Sequence, residues 1–293
     1  MMPRAAASCA AIAAIAATAC AAAAAPLWVY ATTLALFGLP HVLVELRYVD
    51  ERFSARLPRG ALTWLVVGLG LVALLRFLAF AGATGPWARA ELALGVGLVA
   101  VAAPLAVAAP RPTAAALTTL VAVCLLFGVV YAPLETLVAM ALLHNLTPVG
   151  FLAERLRGRA RQRGLAAAAV AFVLVPAAML AAPFLPQVTA GPPGVGELSR
   201  HLGAFVPSPW LGTAFGARLF ATAAYLQVMH YVVVLGVLPR LGGGDQQPRA
   251  VAPWPRRGPL ALGMLLGASS VAAAAFAADF AGARAGYAVV AAV

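Results

Sequence analysis

The chain has 293 residues, 63% of them hydrophobic and only 10% charged, with a mean hydropathy of +0.95. Water-soluble domains carry about 25% charged residues, so this composition excludes an ordinary soluble enzyme and points to the lipid bilayer. The net charge of +11 comes entirely from arginine, and the arginines cluster in short segments between apolar runs, which fits positive-inside topology and anionic lipid headgroups rather than nucleic acid.

Residues 5–25 form an alanine-rich run behind Arg4. It reads as a signal peptide or as a weakly hydrophobic first span, and the apolar character that continues past Pro26 favours the span. Further apolar runs follow at 27–46, 60–81, 91–109, 114–132, 134–153, 165–185, 212–239 and 259–280. Apolar stretches of 18 or more residues thus recur along the whole length, each long enough to cross a ~30 Å hydrocarbon core. Nothing resembles the short alternating segments of a membrane β-barrel. The predicted fold class is all-α, a polytopic integral membrane helical bundle of about 8–9 transmembrane helices, with 26–293 as a single transmembrane domain. Pro58, Pro86, Pro110, Pro112, Pro133 and Pro186 fall at or near breaks, whereas Pro104 and Pro176 lie inside spans and predict kinks.

The arginines orient the bundle. Arg47, Arg52, Arg56 and Arg59 follow one run, Arg155, Arg157, Arg159, Arg161 and Arg163 another, and Arg240, Arg249, Arg256 and Arg257 a third. If the runs alternate, all of these and Arg111 fall on one side, read as cytoplasmic. The opposite segments, 82–90 and 186–211, carry only Arg89 and Arg200. The expected location is the cell membrane, multi-pass. The Gly- and Pro-rich stretch from Pro186 to Leu211 reads as an external loop with a short interfacial helix at 195–206, Trp210 in the aromatic belt and His201 as an ordinary loop residue. The inside segment 240–258 is too short and too rich in Gly and Pro to fold alone. Cys9, Cys20 and Cys124 match neither a disulfide framework nor a zinc spacing and read as small packing residues.

His41, His144 and His230 stand inside apolar runs, where an ionisable side chain is costly and is by default a mark of function. Counting back at 1.5 Å per residue from Arg47, Glu154 and Arg240 puts His41 roughly 9 Å and the other two roughly 15 Å from the inner end. All three therefore fall in one slab of the inner half of the bilayer. Glu45 lies four residues after His41, on the same helix face. His41, Glu45, His144 and His230 are the candidate metal ligands, suited to iron or another transition metal, with Asn145, Gln227 and Tyr231 as supporting neighbours. Toward the outer ends, Arg76 and Arg218 lie at depths similar to those of Glu91, Glu135 and Asp279, which predicts interhelical ion pairs.

The sequence G-L-P-H-V-L-V-E-L-R-Y at 38–48, with M-H-Y at 229–231, resembles the Brp/Blh-like membrane carotene oxygenases. The resemblance implies a multi-span protein that holds iron through histidines on several helices, with His41 and His230 as the matching ligands. The chain departs from that pattern in the placement of the acidic residue after the first histidine and in lacking a second, closely spaced late histidine, so the family's carotenoid substrate does not carry over. Three readings follow: a metal-dependent membrane oxidoreductase acting on a hydrophobic small-molecule substrate, a proton-coupled carrier using His and Glu, and a structural or assembly subunit of a membrane complex.

Overall fold

The computed structural model describes residues 4–53, 59–82, 84–106, 112–203, 205–241 and 259–291. Arg56, Arg111, Arg249, Arg256 and Arg257, on which part of the orientation rests, lie outside the described residues, as does 242–258 of the inside segment. The architecture is all-α. Among the described residues the one β feature is an isolated bridge between Ala190 and Glu197. In hydrocarbon a segment must satisfy its own backbone polar groups, and a helix does so without a partner strand.

Five helical stretches are long and apolar enough to cross a membrane: Pro26–Glu51, Thr63–Phe80, Pro133–Arg155, Gly158–Ala181 and Ala214–Leu241. Ala11–Ala24, Thr119–Tyr131 and Gly263–Ala278 are apolar but shorter. Among the described residues, then, five of the predicted spans reach full length. The chain divides into two compact units, Met1–His41 with Val138–Gly243, and Val42–Leu137 with Gly244–Val293.

In the first unit, helices α1 (Arg4–Ala24) and α9 (Val175–Ala181) pack on α11 (Ala214–Tyr231). The α11 span is the most enclosed, with 61% of its window buried. Tyr225, Phe220, Thr222 and His230 are fully buried along it. Tyr30 of α2 (Pro26–Phe53), Phe205 and Phe220 meet edge to face at 5.2–5.6 Å between ring centroids, the arrangement favoured by aromatic quadrupoles.

Prolines shape these helices in a consistent way. Between α8 (Gly158–Ala169) and α9 the chain widens into a π-helix, Val170–Leu174, two residues before Pro176. Another π-helix, Val232–Val237, continues α11 and ends two residues before Pro239. A proline ring clashes with the carbonyl four residues back, and widening to an i→i−5 pattern relieves that clash. Val175 N–H bonds Val170 O in this register. Pro176 would be the next donor, to Ala171 O, but it has no N–H. The Tyr225 hydroxyl donates to that carbonyl instead, at 2.9 Å. The kink predicted at Pro176 is thus a π segment closed by a side chain from another helix.

The Pro186–Leu211 loop is bonded to α1 and to itself. Val188 N–H bonds Ala24 O at 2.9 Å, and Leu198 N–H bonds Thr189 O at 2.8 Å. The interfacial helix is only Ser199–Leu202, shorter than the predicted 195–206. His201, predicted as an ordinary loop residue, is buried, and its Nε2–H donates to Val195 O at 2.9 Å. Trp210 is exposed, as an interfacial tryptophan would be.

In the second unit α3 (Arg59–Phe80) packs on α4 (Trp87–Ala106), and α4 on α5 (Pro112–Tyr131). Large apolar side chains such as Trp64 and Phe127 are exposed, a surface that lipid can cover. The C-terminal run bends at Asp279 into α12 (Pro259–Ala278) and α13 (Phe280–Ala291). Cys9, Cys20 and Cys124 are free thiols on exposed helix surfaces rather than the packing residues predicted.

Candidate metal centre

Each of the three histidines sits beside a proline or a helix irregularity. His41 follows Pro40 inside α2. His144 occupies the last turn of α6 (Pro133–Asn145), which gives way at Leu146 to α7 (Thr147–Arg155). Pro148 cannot supply the N–H that would bond His144 O four residues back, and the Thr147 hydroxyl donates to that carbonyl at 2.8 Å. His230 precedes the Val232–Val237 π-helix by two residues. Such irregular turns are frequent at functional sites, because they re-aim side chains that a straight helix would misplace.

The three imidazoles converge. Ring centroids are 5.2 Å apart for His41 and His230, 4.8 Å for His144 and His230, and 6.4 Å for His41 and His144. With Glu45, one turn further along α2, they offer four ligand atoms that all lie within 4.8 Å of one another, a group that could hold a metal ion. Ligands 2.1 Å from a tetrahedral ion would stand about 3.4 Å apart, so no pair of ligand atoms would need to close by more than about 1.4 Å around one. Imidazole with carboxylate suits a first-row transition ion better than calcium or magnesium, which prefer all-oxygen shells.

The surroundings fix the rings. His41 Nδ1–H donates to Phe37 O at 3.3 Å. That tautomer leaves Nε2 as the ligand atom, which is how backbone carbonyls commonly orient metal-binding histidines. Tyr231 lies against His41 with centroids 4.3 Å apart and planes tilted 36°. His41 and His230 are buried, at 3% and 0% exposure. His144 is exposed, so the group opens on its side.

Asn145 and Gln227 are close to the histidines in sequence but do not bond an imidazole. Asn145 Nδ2–H donates to Ala141 O at 3.0 Å. Gln227 Nε2 donates to Tyr30 O at 3.2 Å and to Thr33 Oγ1 at 2.9 Å. The sequence reading missed Tyr30 and Thr33. A signal for them existed: Tyr30, Thr33, Phe37, His41 and Glu45 are spaced by three and four residues, one face of α2.

The outer charged residues divide. Arg76 and Glu91 form a two-pronged ion pair between α3 and α4, with Nε to Oε2 at 2.6 Å and Nη2 to Oε1. Arg218 instead donates to Ala182 O at 2.8 Å, satisfying the end of α9. Asp279 Oδ1 accepts from Gly282 N–H at 3.0 Å and so caps the start of α13. Glu135 is exposed in the first turn of α6, where the helix dipole favours a carboxylate. Nearer the inner end, Arg47 pairs with Glu51 at 2.6 Å.

The fold and the His/Glu group define a helical protein of membrane-spanning character with a group of side chains that could hold a metal ion. No family model, curated protein or solved structure matches the chain.

Proposed function

We propose that this is a multi-pass cell-membrane oxidoreductase of the oxygenase kind, dependent on iron or another transition metal and acting on a lipid-soluble substrate. The convergence of His41, His144 and His230 from three helices, with Glu45 beside them, carries the reading. A lone membrane histidine commonly hydrogen-bonds a neighbouring helix, but three meeting at one point have a shared use.

The residues divide the work. His41, His144, His230 and Glu45 bind the ion, Phe37 O sets the His41 tautomer, and the Tyr231 ring holds the His41 plane. A transition metal supplies Lewis acidity and redox capacity to such a site. The buried imidazoles keep water from two sides, and the exposed His144 edge leaves an approach for a substrate dissolved in the bilayer. The likeness of residues 38–48 and 229–231 to the Brp/Blh-like oxygenases agrees with this chemistry. The arginine-bearing segments are assigned to the cytoplasmic side, which puts the site in the inner half of the membrane.

Metal analysis of anaerobically purified protein tests the proposal. About one transition-metal ion per chain is expected, lost in each of His41→Ala, His144→Ala and His230→Ala. Protein that binds no metal, before or after incubation with Fe²⁺ under anaerobic conditions, would overturn it.

A further inference from the structure

A narrow cleft lies within the first unit, lined by Tyr30, Phe205, Phe220, Asn145 and Gln227 among others. Asn145 follows His144 on α6, and Gln227 is one turn before His230 and Tyr231 on α11. The cavity volume is about 20 Å³, room for one hydroxyl-sized group.

The hydrogen-bond inventory of the two amides fixes what that group should be. A backbone carbonyl only accepts, so the atom of Gln227 that faces Tyr30 O must be the amide nitrogen. Thr33 gives its hydroxyl proton to Val29 O at 2.7 Å, so its oxygen accepts the other Gln227 N–H. Both Gln227 donors are thereby committed, and Oε1 remains as a pure acceptor. The same reasoning fixes Asn145, whose Nδ2 donates once to Ala141 O and keeps a second N–H. The polar wall of the cleft thus offers a fixed acceptor from Gln227 and a donor from Asn145, within an aromatic and aliphatic lining. A neutral alcohol can satisfy both, because its O–H donates while its oxygen accepts. A ketone or ether only accepts, and an ammonium would bring an unpaired charge into an apolar site at high cost.

We propose that this cleft binds the hydroxyl end of an otherwise apolar alcohol, so that the substrate class is a lipid-soluble alcohol held beside the His/Glu group. The assignment rests on the metal-site reading only for the word substrate; the hydroxyl subsite stands on the amide inventory.

Photolabelling of the full chain in detergent tests it, with a hexadecan-1-ol probe bearing a mid-chain diazirine. Labels are expected on peptides of α2, α6 and α11. Competition should follow the order hexadecan-1-ol, 1-methoxyhexadecane, hexadecane, with about fivefold weaker displacement for each hydrogen bond lost. In Gln227→Met the alcohol and the ether should compete within about twofold of each other, since the ether already lacks the bond to Oε1. Should that variant fail to fold, the competitor series on the unaltered protein decides by itself. Equal competition by alcohol and alkane, or labels confined to other helices, overturns the subsite. Metal content measured on the same samples separates the two ideas. A metal-loaded protein without hydroxyl preference defeats the subsite alone, and hydroxyl preference in a protein that never binds metal defeats the oxidoreductase alone.

Discussion

Tyr231 is adjacent to the candidate ligand His230 and packs on another, His41. Its ring lies 4.3 Å from that of His41, close enough to restrict the imidazole to one plane while Phe37 O restricts its tautomer. Groups that orient metal-binding histidines typically contribute 10–100-fold to metal affinity. Tyr231→Leu is therefore expected to weaken metal binding by about tenfold relative to the unaltered protein. Competition titration against a chelator of known affinity measures it. The histidines themselves were legible in the sequence because an imidazole in an apolar run stands out and helical rise converts its position into depth. The bonds of Gln227 to Tyr30 and Thr33 were not, because those partners lie 197 and 194 residues away and only the packing of α2 on α11 brings them together.

The proline-linked irregularities carry the same lesson to whole helices. Pro176 announces a disturbance in sequence, but whether the helix kinks, breaks or widens depends on which group satisfies the orphaned carbonyl. Here that group is the Tyr225 hydroxyl, 54 residues further on. Tyr225→Phe leaves Ala171 O buried without its donor and is expected to destabilise the protein by about 1–3 kcal/mol, seen as a lower Tm in detergent. Pro176→Ala restores a backbone N–H that can reach the same carbonyl. In that background Tyr225→Phe should lower Tm distinctly less, and the coupling read from the double-mutant cycle would establish that tyrosine and proline answer each other. Equal losses in both backgrounds would show that the hydroxyl bond does not depend on the proline. Asp279 illustrates the opposite limit. Its charge near a helix end suggested an ion pair, but its short side chain is better placed to cap the turn that starts α13, a boundary that the largely apolar sequence on either side does not announce.

For the molecule as a whole, the arginine distribution and the helix geometry make one joint demand. Gly158–Ala181 is 24 residues long, roughly 36 Å at 1.5 Å per residue, enough to carry the chain across the hydrocarbon core. Arg159, Arg161 and Arg163 are exposed in its first turns, and the loop with Glu197 follows its far end. If Gly158–Ala181 spans the bilayer, positions 159 and 197 are expected on opposite faces of the membrane, with Arg159 on the cytoplasmic side by the positive-inside rule. The native thiols lie on exposed helix surfaces, so the experiment begins from a chain with Cys9, Cys20 and Cys124 replaced by alanine. In intact cells a membrane-impermeant maleimide should label Glu197→Cys and leave Arg159→Cys unmodified until the cells are permeabilised. The reverse pattern would turn the bundle over and place the His/Glu group in the outer half of the membrane, with the donor set unchanged. Labelling of both positions from outside would deny that Gly158–Ala181 spans the bilayer, and the approach to His144 would then be from water rather than from lipid.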